Sequence, residues 1–187
     1  MKKQNLVTIA IFALLIGSFS LQSCTKVAKL LNFNLGMQTE SVEVTIPATT
    51  GVNGVVTVGP ATNTFNVDSF IKAQTGSQLG VSNITSVKLS SVVFTLNNAN
   101  TLNNFQNFSS CSASFSSNTN PNPYTVSIAS NPDTLSNTLT LPIDTTAELK
   151  SYIGNQFNYT VSGQLRRGTT IPLDCTVSFT FSVKVQG

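Results

Sequence analysis

The chain has 187 residues, 9% charged and 40% hydrophobic, with a formal net charge of +3 and no histidine. That length suits one domain, and the even spread of Val, Ile, Leu and Phe excludes a disordered chain, which needs high net charge and few β-branched residues. The missing histidine removes His-based triads, His general bases and most zinc sites, and no basic face of the kind nucleic acid requires is visible.

The first element is a targeting segment. Lys2 and Lys3 form a positive start, and the apolar run from Leu6 to Ile16 follows. A membrane-spanning helix needs roughly 20 apolar residues, so this shorter run reads as a signal peptide over residues 1–23. Leu21-Gln22-Ser23-Cys24 resembles the lipobox of bacterial lipoproteins. The small Ser23 suits the signal peptidase, and the Cys24 thiol accepts the thioether-linked lipid. Several acyl chains, each CH₂ contributing about 0.8 kcal/mol, then hold the protein to a bilayer. Loss of Lys2 and Lys3 with the leader leaves eight basic residues against seven acidic, so the basic pI is partly a leader effect.

Residues 24–38 read as a tether whose later part docks on the domain through Leu30, Leu31, Phe33 and Leu35. Residues 39–187 read as one domain, because a two-residue polarity rhythm dominates from there. Val42, Val44 and Ile46 share one face of a strand that Pro47 ends, and Val56 and Val58 form a short run before Gly59-Pro60. A helical turn is predicted over residues 68–74, with Asn66 or Asp68 as N-cap. In the strand from Val87 to Leu96 the apolar phase slips at Ser90-Ser91, which predicts a β-bulge. Three further strands follow, over 108–116, 124–129 and 138–141. Thr145 and Glu148 have capping-box spacing before Leu149, Tyr152 and Ile153, which predicts a short helix within residues 144–154. The chain closes with two long strands whose connection, Arg167-Gly168-Thr169-Thr170, reads as a hairpin turn. Strands with one apolar face bury it by stacking in two layers. The expected fold is an all-β antiparallel sandwich, Ig-like or jelly-roll-like, of about seven or eight strands with one or two short helices.

Several segments together resemble a family of small lipoproteins of the phylum Bacteroidota with an uncharacterised β-sandwich domain. They are Val42-Glu43-Val44-Thr45-Ile46-Pro47 with Thr50-Gly51, then Ile84-Thr85-Ser86-Val87-Lys88-Leu89. Asn104-Phe105 with Phe108-Ser109-Ser110 and Ala147-Glu148-Leu149-Lys150-Ser151-Tyr152-Ile153 leading into Phe157 complete the set. The resemblance covers most of residues 40–186, rests on packing and turn residues, implies an extracytoplasmic sandwich, and offers no catalytic residues to carry over.

Residues able to do chemistry are few. With Cys24 acylated, Cys111 and Cys175 remain on the apolar phase of their strands. In an oxidising compartment they form either a disulfide, adding about 4 kcal/mol in the chain-entropy account, or two buried thiols acting as small hydrophobes. The seven carboxylates, Glu40, Glu43, Asp68, Asp133, Asp144, Glu148 and Asp174, mostly read as caps, turns and strand surfaces, so no glycosidase pair and no enzyme is expected. Asn131-Pro132-Asp133 and Asp144 offer oxygens, but Asx turns explain them better than calcium does. No metal or cofactor is therefore expected. Arg166-Arg167 reads as a solvated turn. Asp133-Thr134-Leu135 and Asp144-Thr145-Thr146 resemble the Asp-Thr-apolar acceptor of O-glycosylation in that phylum, which marks Thr134 and Thr145. The expected molecule is a membrane-anchored, non-catalytic structural or protein-interaction module of the cell envelope. It would be held by its N-terminal lipid at the outer membrane, facing the periplasm, with an envelope protein or a glycan as partner. A ligand- or glycan-binding sandwich and a fimbrial or adhesive subunit are the alternatives.

Overall fold

The computed structural model describes residues 31–38 and 41–187; the leader, Cys24 and residues 25–30 of the expected tether lie outside them. Nine strands form two antiparallel sheets. In chain order they are β1 (Asn32–Gln38), β2 (Val42–Ile46), β3 (Val55–Thr64), β4 (Ile84–Leu96), β5 (Phe108–Ser117), β6 (Tyr124–Ile128), β7 (Thr138–Thr140), β8 (Gln156–Leu165) and β9 (Leu173–Gln186). One helix, α1 (Val67–Gln74), follows β3. The first sheet runs β1-β9-β4-β7, with β2 also paired to β9, and the second runs β3-β8-β5-β6. Leaving out β1, each consecutive pair from β2–β3 onward either crosses between sheets or, as for β5–β6, pairs within one. That order makes the sandwich a jelly roll, built from two Greek keys, rather than an Ig-like fold.

The inner faces carry the predicted alternation. Leu173, Cys175, Val177, Phe179, Phe181, Val183 and Val185 are all buried along β9. Opposite them, Phe108, Cys111, Ala113 and Phe115 of β5 and Phe157, Tyr159, Val161 and Leu165 of β8 close the core. Phe115 is its aromatic centre, with ring centroids 5.2–5.8 Å from Tyr124, Tyr152, Phe179 and Phe181.

The end of the expected tether is a strand. Residues 32–38 pair with Gln186–Thr180 of β9, and Met37 is buried. β2 continues along the same edge of β9, from Val42 opposite Val177. The register passes from Gln38 opposite Thr180 to Val42 opposite Val177, so the inward phase moves from odd to even numbers. β4, on the other side of β9, slips at the same height, where Leu89 faces Phe181 and Ser91 faces Thr180. β9 thus keeps strict phase while its neighbours shift register beside it; β4 does so twice, between Ile84 and Ser86 and at the predicted bulge at Ser90-Ser91.

Three expectations change. β8 and β9 are not a hairpin: β8 lies between β3 and β5, whereas β9 lies in the opposite sheet. Either arrangement buries one face of each strand, so alternation alone does not distinguish them. The helix expected within residues 144–154 is reduced to one 3₁₀ turn, Lys150–Tyr152. Asp144 closes an Asx turn on the Thr146 N–H at 2.8 Å, and Glu148 turns away to accept the Val87 N–H of β4 at 2.7 Å. The stretch of β4 that β7 does not reach keeps open donors, and these outcompete a capping box. β3 also runs on past Gly59-Pro60, with its register against β8 shifting between Val58 and Ala61. Gly59 has φ +128°, and a Cβ there would meet the Tyr159 carbonyl at 2.6 Å. The helix α1 appears as predicted, with Asn66 as N-cap accepting the Ser69 N–H at 2.8 Å.

Candidate interaction surface

The jelly roll gathers four connections at one end of the sandwich: residues 47–54, 97–107, 129–137 and 166–172. The other end holds the start of β1, α1 and the chain after β7. Asparagine side chains knit the first end together. The Asn107 amide donates to the carbonyls of Leu102 and Gly168 at 3.0 and 2.9 Å. Asn131, buried, donates to those of Phe105 and Phe108 at 2.7 and 3.0 Å. Asn103 accepts the Thr170 N–H at 2.7 Å and donates to its hydroxyl at 2.9 Å. Each loop backbone therefore finds partners inside the network instead of in water.

Arg166 and Arg167 belong to this network and are not a solvated turn. The Arg166 guanidinium donates to the carbonyls of Gln106 at 3.0 Å and Asn131 at 2.6 Å. Arg167 grips both oxygens of Asp133, one at 2.7 Å. Hydrogen bonding from Arg167 holds the Asp133 carboxyl below its ordinary range. Asp133 thus closes a loop contact through Arg167 in place of the expected Asx turn. The resemblance segment Asn104-Phe105…Phe108 lies here too: Asn104 caps a 3₁₀ turn over Phe105–Asn107, and both rings are buried.

On this rigid frame stand exposed apolar side chains. Among the described residues the large exposed hydrophobics are Val52, Val55, Leu102, Leu135 and Val81, at 41–69% exposure. The first four stand on the network end, Val52, Leu102 and Leu135 on three different connections and Val55 at the start of β3, whereas Val81 is at the other. Nothing in a periodicity search marks them, because they break no strand rhythm. The signal available was an apolar residue inside an Asn/Ser/Thr-rich loop.

The other expected site residues are placed as follows. Cys111 and Cys175, for which a bridge and two buried thiols were the alternatives, stand in this structure as buried free thiols. They belong to opposite sheets, β5 and β9, and both face the core between the layers. Burial pushes both thiols up to about 12, where the thiolate is scarce. Thr134 and Thr145 are both exposed on loops. Among the described residues, no three His, Cys, Asp or Glu side chains gather as ligands would, and no helix is long and apolar enough to cross a membrane.

Space for a small ligand between the sheets is slight. The apolar cavity walled by Ile46, Val58, Phe94, Phe108, Cys111 and Val161 holds about 10 Å³, room for one water. A shallow open trough of about 260 Å³ crosses the outer face of β3, β8, β5 and β6, lined by Ser110, Ser112, Ser127 and Ser162. The sheet edges are blunted as well: the register of β3 shifts at Gly59-Pro60, β6 and β7 are short, and the register against β9 shifts between β1 and β2. Edges of this kind resist strand addition by another chain.

Fold and surface together define a jelly-roll β-sandwich with a braced loop end. No family model matches the sequence, and no curated protein matches it. Among solved structures, the chain is similar to that of Desmodium yellow mottle tymovirus over 83% of this chain and 90% of that one, with 7% identity and a TM-score of 0.25. An Israeli acute paralysis virus particle aligns over 82% of this chain and 75% of that one, at 10% identity and TM-score 0.34. Turnip yellow mosaic virus aligns over 83% and 96%, at 11% identity and TM-score 0.26. At such scores nothing beyond the alignments follows, and the jelly-roll assignment rests on strand order.

Proposed function

We propose that the chain is a lipid-anchored, non-catalytic interaction module of the bacterial envelope, which presents its network-braced loop end to a protein partner. The observation that carries this reading is the placement of Val52, Val55, Leu102 and Leu135, each more than 60% exposed, on one end of the fold. Exposed apolar side chains on rigid loops lose little entropy on binding, which favours a partner. Cys24 would hold the opposite end, because β1 starts there and only residues 25–31 separate it from the anchor. An outer-membrane position facing the periplasm fits this reading. A non-catalytic role is supported by thiols held near 12 and by carboxylates spent on structural hydrogen bonds.

Photo-crosslinkers placed separately at Leu102, Leu135 and Lys72 in the native envelope test it. The loop-end positions should capture one common protein and Lys72 should not, and Leu102→Asp with Leu135→Asp should abolish capture without unfolding the domain. Equal capture from both ends, or capture indifferent to the Asp variants, overturns the partner surface. A Cys24→Ala chain should leave the lipoprotein fraction, and unchanged acylation or anchoring overturns the lipid assignment.

A further inference from the structure

Charge is sorted along the long axis of the sandwich. The described lysines, Lys72, Lys88, Lys150 and Lys184, all lie in the half that contains the start of β1. Lys184 is two residues from the end of β9, Lys88 stands opposite Ser182, and Lys72 is in the last turn of α1. Lys150 follows Leu149, whose N–H bonds to the Val87 carbonyl at 2.8 Å near the start of β4. The loop half holds no lysine, and its two arginines are spent on Asp133 and loop carbonyls.

The carboxylates of the lysine half are Asp68, Asp144 and Glu148. Asp68 pairs with Lys72 at 2.6 Å. Glu148 accepts from Ser86, Val87 and Lys150 backbone or hydroxyl groups, and Asp144 from Thr146. Among the described residues, Lys88, Lys150 and Lys184 lie within 4 Å of no carboxylate. Lys26 and Lys29 add two positive charges just before β1. Residues 25–31 span at most about 25 Å when fully extended, so an acylated Cys24 would keep this end close to the bilayer.

We infer that the lysine-bearing end of the sandwich is a docking surface for the anionic headgroups of the bilayer that holds the lipid. The inference rests on the lipid-anchored reading above. Each lysine near an anionic surface contributes about 1 kcal/mol, a factor of roughly five, and the attraction fades within a Debye length of about 8 Å. The lipid supplies residence on the membrane and the lysines supply orientation. The loop end then points away from the surface.

The acylated protein reconstituted into vesicles tests this. One set is pure phosphatidylcholine and the other contains one part phosphatidylglycerol in about three, a composition that gives a strongly anionic surface. Amine acetylation is followed residue by residue by mass spectrometry. Lys150 and Lys184 should react roughly five-fold more slowly on the anionic vesicles, with the difference erased by molar salt. Hydrogen exchange should show added protection at residues 81–84 and none at residues 97–104. A Lys150→Gln, Lys184→Gln variant should lose that added protection while still floating with both vesicles. Equal amine rates on the two vesicle types, or protection at the loop end instead, overturn the docking surface. A protein that fails to float with phosphatidylcholine vesicles shows a failed anchor, a separate result.

Discussion

The two ends of the sandwich are held by different physics. At the loop end, four connections share a buried network in which side-chain amides and Arg166 satisfy backbone carbonyls. At the lysine end, order comes from exposed devices: the Asn66 cap, the Asp68–Lys72 pair and the Glu148 bracket on β4. Buried hydrogen bonds are costly to break because the orphaned group cannot reach water, whereas exposed ones are readily replaced by solvent. A loop end built this way is stiff enough to hold apolar side chains outward; the other end is tuned by charge.

The core between the ends sets the scale. Phe115→Ala removes the ring that joins both sheets and should destabilise by about 3–5 kcal/mol in denaturant unfolding. Asn131→Ala strips two donors from the buried carbonyls of Phe105 and Phe108, and should cost about 2–3 kcal/mol. Hydrogen exchange should quicken at residues 105–108 and stay unchanged at α1. Equal quickening at both ends would break the contrast.

Glu148→Gln belongs to the exposed class and should cost about 1 kcal/mol at neutral pH. Its pH dependence sharpens the point. Desolvation pushes the Glu148 carboxyl up, but hydrogen bonds from Ser86, Val87 and Lys150 prevail and hold it below its ordinary value of 4.5. A depressed folded-state value means the contribution is complete above about pH 4.5 and disappears as pH falls through the folded value. Stability of the parent should therefore fall more steeply with acid than that of Glu148→Gln, and parallel curves would remove Glu148 from its bracketing role. The smallest effect is expected from Asn66→Ala, about 1 kcal/mol or less, since the cap is exposed. A loss matching that of Asn131→Ala would erase the distinction between the ends.

Most strands were legible because period-two alternation is a local record of burial. Val42 to Ile46, the Ser90-Ser91 slip and the long run from Ile171 to Val185 report inside and outside directly. The Asn66 cap was readable for the same reason, its partner lying three residues away. β1 was half visible: Phe33 and Leu35 marked docking, yet the change of inward phase between β1 and β2 hid that both lie along the same edge of β9.

The loop end was not legible. Asn107, Asn131 and Arg166 come from three separate connections, and nothing in an isolated Asn-rich segment says that another such segment will stand beside it. The same holds for Cys111 and Cys175, whose inward phase is local but whose placement in opposite layers is not. It holds too for Glu148, where nearby spacing suggested a cap and a distant strand edge won.

The sequence by itself determined which face of each strand is hidden, and hence a two-layer all-β fold, because hydrophobic burial is encoded residue by residue. Only the tertiary structure decided the jelly-roll order over an Ig-like one, the separation of β8 from β9, the gathering of four loops, and the sorting of lysines to one end. Those depend on which elements become neighbours, and alternation is identical whichever neighbour a strand acquires.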